Sequence, residues 1–120
     1  MANPVDDFRR RREAGNELVL SRGGQVTKRF ISLDTQVYGE GRLPARFKEL
    51  LGLVASTVLR CEDCITHHVL KCSEAGVERD ELYEALEVAL VVGGSVVIPH
   101  YRHAARVWQT LEGKGVGREL

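Results

Sequence analysis

"PARFKELLGLVASTVLRCEDCITHHVLKCSEAG", residues 44–76, decides how this chain is to be read. Residues 44–60 are apolar around most of a helix circumference, apart from a stripe of Glu49, Gly52, Ser56 and Arg60. That is the pattern of a buried helix opening near Pro44. A second helix should run from the C-x2-C at Cys61 and Cys64 to Ala75, with Gly76 as its left-handed cap.

Helical spacing continues on both sides. Residues 4–21 begin with Pro4, Asp6 and Asp7, all suited to a first turn, and end before Gly23 and Gly24. Residues 25–37 carry Val26, Phe30 and Val37 on roughly one face and stop at the Gly- and Pro-containing "YGEGRLP". Beyond Gly76, Val77 and Leu82 are placed as a hydrophobic staple, and Leu82, Ala85, Leu86, Ala89, Leu90 and Gly93 repeat at three and four. Gly93 and Gly94 interrupt this helix before Pro99 opens a last one, 99–111, followed by a tail, 112–120, expected to fray. No alternating strand pattern of useful length occurs, so the expectation is all-α, one domain over residues 1–120, a compact bundle of about six helices.

Composition narrows the function classes. Seventeen Lys and Arg balance seventeen Asp and Glu, leaving no field to recruit nucleic acid or an anionic membrane surface. The run Arg9 to Arg12 reads as a solvated face, because Asp6–Arg10 and Asp7–Arg11 are spaced as helix pairs. No apolar run is long enough to span a bilayer, and the first fifteen residues lack the order of a signal peptide, so a cytoplasmic protein is expected. In a reducing compartment three cysteines read as catalytic or metal-binding before they read as structural staples.

Those three cysteines and two of the four histidines lie within residues 60–76. On a continuous helix Cys61, Cys64 and His68 share a narrow sector, His68 being about 20° from Cys61 around the axis, while His67 falls about 120° away. A helix N-terminus favours thiolate, and a neighbouring imidazole can take the proton. Glu62 and Asp63 oppose a further negative charge there. A disulfide closing so short a loop restrains the unfolded chain little, which makes reversible oxidation a better reason for the pair than stapling. Zinc is the rival, since C-x2-C-x3-H offers three ligands and Cys72, His100 or His103 could add a fourth. Cys72 is about 12 Å along the axis from Cys64, too far to share a metal without a bend, and reads as a buried small hydrophobe. His100 and His103 read as surface or interface histidines.

The stretch "RLPARFKELLGLVASTVLRCEDCITHHVLKCSEAGVERDELYEALEVALVVGG" resembles the alkylhydroperoxidase D-like group of the carboxymuconolactone decarboxylase superfamily. The resemblance spans roughly residues 43–108: a Glu in a "KELL" helix, twelve residues to C-x2-C-x3-H, a Gly-led turn, an "EL-x-EAL" helix and a Gly-Gly pair. It implies Cys61, Cys64, His68 and Glu49 as catalytic residues, the cysteines cycling through a disulfide and the Glu and His forming a proton relay. It implies further a hydroperoxide substrate, an external dithiol reductant, no cofactor or metal, an all-α fold, and assembly as a trimer or hexamer. Decarboxylases of the superfamily lack the cysteine pair. Without the resemblance, Glu49 would be read as part of a solvated stripe paired with Arg46.

The chemistry expected is attack of one thiolate on the peroxide O–O bond, giving a sulfenic acid that the other cysteine captures. Cys64 is expected to attack, because His68 is one turn away as base, leaving Cys61 to resolve. The apolar "ALEVALVVGGSVVIP", 85–99, is expected to form a subunit interface. The alternatives are a carboxymuconolactone-type decarboxylase, a zinc-stabilised binding module, and a helical interaction protein with inert cysteines.

Overall fold

The computed structural model describes residues 3–114. These form six α-helices: α1 Pro4–Arg22, α2 Gln25–Val37, α3 Ala45–Leu59, α4 Glu62–Glu74, α5 Arg79–Gly93 and α6 Ile98–Lys114, with a 3-10 turn at Ser95–Val97. No strand occurs among the described residues. The all-α expectation holds, and α2 matches its predicted bounds. The last helix runs further than predicted, taking in residues 112–114 of the expected frayed tail; residues 115–120 lie outside the described residues.

The starts of α1 and α5 have local causes. The Asn3 side chain accepts the Asp6 N–H at 2.9 Å, with Pro4 as the first helical residue. At α5 Glu78 and Glu81 form a reciprocal capping box, while Val77 and Leu82 are both buried in the core. Gly94 closes α5 at φ +81°, a conformation that side chains rarely adopt, and so lets the chain turn into α6.

The core is built by α3, α4, α5 and α6, with α3 packed on α4 and α5, and α4 packed on α6. Leu53, Ile65, Val69, Leu82, Leu86, Val97 and Ala104 are fully buried. Each large aliphatic among them contributes about 1.5–3 kcal/mol of burial. From α1 only Val5 and Phe8 reach this core, and α2 buries no residue at all. Val26, Phe30, Leu33 and Val37 are therefore exposed on α2, even though their spacing is that of a packed helix. Around 85–99, Val88, Val91, Val92 and Val96 are likewise exposed.

The elbow between α3 and α4 places the cysteines. Arg60 adopts the left-handed conformation, φ 62°, and is the one non-glycine residue with positive φ among the described residues. Such a residue costs on the order of 1 kcal/mol. The cost is offset by two backbone bonds, Arg60 N–H to the Thr57 carbonyl and Cys61 N–H to the Ser56 carbonyl, both 3.1 Å, which close α3 and set Cys61 at the mouth of α4.

Candidate active site

Cys61 lies just outside α4 as its N-cap, with extended backbone, rather than in the first turn as the motif spacing predicts. Its Sγ accepts the Cys64 N–H at 3.3 Å, so sulfur takes the place of the usual capping oxygen. The geometric reason is the elbow, which ends the helical path one residue before Glu62. Cys61 and Cys64 are joined by a disulfide, their Cα atoms 5.3 Å apart. Cys64 remains within the first turn, exposed, where free N–H groups and the helix dipole favour a thiolate once the pair is reduced.

One turn further, His68 is buried against α3, and Glu49 is buried opposite it. His68 Nδ1 lies 2.8 Å from Glu49 Oε1. The pairing of Glu49 with Arg46, read from sequence, is not formed; Arg46 instead reaches across to Glu81 on α5 and holds that carboxyl below its usual range. Glu49 is thereby left to His68. The polar stripe of α3 is the face turned toward α4: Glu49, Gly52 and Ser56 are all buried, and the His68 ring lies over Gly52.

The second ring nitrogen has a partner that no local signal in the sequence singles out. Tyr38, the residue that ends α2, puts Oη 3.4 Å from His68 Nε2, with the two ring centroids 5.2 Å apart. Burial, followed by the charges of Asp34 and Glu49, raises the Tyr38 hydroxyl above its ordinary range, so it stays protonated. With Nδ1–H donating to Glu49, a neutral imidazole presents a lone pair at Nε2, and the phenol donates to it.

A cleft of about 550 Å³ opens beside the pair, lined by Phe8, Arg12 and Val19 of α1, Asp34 of α2, and Cys64, His67 and His68 of α4. Helix geometry alone turns His67 away from Cys61, yet it shares this cleft with Cys64. Burial first, then the Arg12 guanidinium and His68, lower it to about 4, so it is neutral near pH 7. Asp63 lies 3.5 Å from Arg11, which answers one of the two negative charges between the cysteines. The arginine run is exposed as expected, but its partners are Asp7 for Arg10, Asp63 for Arg11 and Glu74 for Arg9, not the predicted i,i+4 pairs.

The remaining cysteine and histidines stand apart. Cys72 is fully buried in the core, and burial, reinforced by Glu49, raises its thiol to about 12. Thr66 Oγ1 donates to the Glu62 carbonyl at 2.9 Å, leaving its oxygen to accept from His103 Nε2 at 2.7 Å. No three His, Cys, Asp or Glu side chains among the described residues are arranged to hold a metal ion.

Fold and site define an all-α protein that carries a C-x2-C pair at a helix mouth, backed by a buried histidine and glutamate. The chain belongs to the carboxymuconolactone decarboxylase family, whose model matches residues 24–109, extending the match expected from sequence back to include α2. It is 50% identical to a Thermotoga maritima protein described as a carboxymuconolactone decarboxylase family member with a possible part in an antioxidative response. The two superpose with a TM-score of 0.86, covering 95% of this chain and 99% of that one. A Legionella pneumophila member, crystallised in its apo form, is 19% identical but shares the fold, with a TM-score of 0.84 over 91% of this chain and 97% of its own. An uncharacterised protein of the cox locus in Paracoccus denitrificans is 26% identical over 76% of this chain and 82% of its own length.

Proposed function

We propose that the protein is a thiol-dependent peroxidase that reduces organic hydroperoxides through Cys61 and Cys64. The observation that carries this reading is the juxtaposition of a disulfide-forming cysteine pair with the buried Glu49–His68 dyad at the edge of an open cleft. The antioxidative description of the Thermotoga relative supports it.

The reduced pair loses one thiol proton to His68, whose Nδ1 is held 2.8 Å from Glu49 Oε1. The Cys64 thiolate attacks the distal peroxide oxygen; the O–O bond breaks, the alkoxide takes up a proton and leaves as the alcohol, and Cys64 becomes a sulfenic acid. The Cys61 thiol then attacks that sulfur, releasing water and forming the disulfide. An external dithiol returns two electrons and two protons. Cys64 suits the attacking role because it faces the cleft, whereas Cys61 caps the helix beside it. The proposal includes a cytoplasmic setting and a homo-oligomer, the latter supported by the uncovered apolar faces of α2 and of α5 near its end.

The test counts free thiols before and after one equivalent of an organic hydroperoxide in the reduced wild type, Cys61→Ser and Cys64→Ser. The wild type should lose two thiols and release one equivalent of alcohol. Cys61→Ser should stop at a trappable sulfenic acid. Two surviving wild-type thiols would overturn the reading.

A further inference from the structure

Both nitrogens of His68 are occupied, and the residue is 7% exposed. Glu49 closes Nδ1, and the face of Gly52 where a side chain would stand lies against Cε1 and Nε2. The atom at Nε2 that can both give and take a proton is Tyr38 Oη. We propose that Tyr38 is the port through which His68 exchanges protons with the cysteine pair: a positioning residue that acts through His68 rather than on the substrate.

The step balances without any further reactant. Oη receives a proton from the thiol, directly or through one water, while its own proton passes to Nε2. The products are a thiolate and an imidazolium; the phenol is neutral before and after, and then accepts the Nε2–H bond that it previously donated. The hydroxyl therefore suits both states of His68, which a donor-only or acceptor-only side chain would not. The ionisable groups around this path are Asp34 from α2, Glu49 from α3, and His67 from α4 with Arg12 of α1 beside it. The two carboxylates disfavour a phenolate, which keeps the hydroxyl neutral as the exchange requires.

Position in the fold supports the assignment. Tyr38 is the C-terminal cap of the helix that buries no residue of its own, and the chain on either side is tied down by Lys48, whose Nζ donates to the Val37 and Gly39 carbonyls at 2.8 Å each. A tether at this point holds one half-buried side chain against His68 while α2 itself buries nothing.

The inference rests on the thiol and imidazole reading above, so its test avoids peroxide. The reduced protein is alkylated with iodoacetamide from pH 5 to 9, in wild type, Tyr38→Phe, and protein carrying 3-fluorotyrosine at position 38. Phenylalanine keeps the ring contact and removes the port. Its alkylation rate near pH 7 should fall about tenfold, with the profile moved to higher pH and thermal stability nearly unchanged. The more acidic fluorophenol should fold as wild type and move the profile to lower pH, which keeps the proposal testable if Tyr38→Phe folds poorly. An unchanged profile in the fluorinated protein, or a wild-type profile in folded Tyr38→Phe, would overturn the port. If alkylation responds as stated but no hydroperoxide is consumed, the peroxidase reading fails and the port stands.

Discussion

Gly52 lies so close beneath His68 that a β-carbon there would meet the ring's Cε1 at 2.6 Å and Nε2 at 2.8 Å. The same β-carbon would also meet Tyr38 Oη at 2.8 Å. A glycine inside a helix ordinarily loses about 1 kcal/mol to alanine, so Gly52→Ala should stabilise α3 by that amount if backbone preference decided the outcome. The ring cannot give way cheaply, because Glu49 pins Nδ1 and the bundle encloses it. We expect Gly52→Ala to lower stability by about 1–3 kcal/mol and thiol reactivity by about tenfold or more. Urea unfolding and iodoacetamide alkylation measure the two; a variant more stable than wild type with unchanged reactivity would show that the close approach has no role.

Much of this arrangement was legible in the sequence, and the parts that were not share a cause. Helical period, caps and glycine stops located α1 to α6 because each is a local signal. The stripe of Glu49, Gly52 and Ser56 was visible as an interruption in an apolar helix, but its partner is 19 residues away, and only the family resemblance tied Glu49 to His68. Tyr38 had no local mark: a tyrosine in a Gly-rich loop reads as a turn residue, and its contact spans 30 positions. Spacing alone predicts Cys61 inside the helix, since it does not show that Arg60 turns left-handed. The angle of His67 on α4 argues against it, but that angle says nothing of α1 crossing to form the other cleft wall.

Cys72 separates a structural thiol from the redox pair. With its thiol raised to about 12 and no exposed surface, it should stay protonated and unreactive while the protein is folded. Reduced native protein should consume two equivalents of an alkylating reagent rapidly, and the third only in denaturant. Cys72→Ser, which buries a hydroxyl in an apolar site, should cost about 1–3 kcal/mol without slowing the first two. Rapid native alkylation of three thiols would contradict this placement.

His67 gives the fold a specific pH dependence. Its folded value of about 4 lies below the ordinary 6.5, so between these limits the unfolded chain binds a proton that the folded chain refuses. Stability is then fully present above about pH 6.5 and falls as pH drops toward 4. The groups acting on it are Arg12, His68 and Lys71, which oppose its charge, and Glu49, which favours it. Allowing for solvent screening of a partly buried ring, the contribution is on the order of 1–2 kcal/mol. His67→Asn should flatten the change in urea midpoint between pH 4.5 and 7 by that amount; an equal slope in both proteins would assign the acid sensitivity to other groups.

Phe30 and Leu33 test what covers α2. This helix buries nothing within the chain, yet Phe30 is 68% exposed and Leu33 56%, on a helix that also exposes Val26 and Val37. A soluble monomer rarely leaves so continuous an apolar face to water, and a second copy of the chain is the occupant we expect. Phe30→Asp with Leu33→Asp changes neither a core contact nor a hydrogen bond of the bundle, so the monomer should fold. Charges buried at an apolar interface cost several kcal/mol, enough to dissociate an oligomer at micromolar concentration. Sedimentation should show the wild type as an assembly and the double variant as a smaller species with native helix content. Identical sedimentation of the two would remove α2 from the interface and leave the apolar end of α5, Val91 and Val92, as the face to vary next.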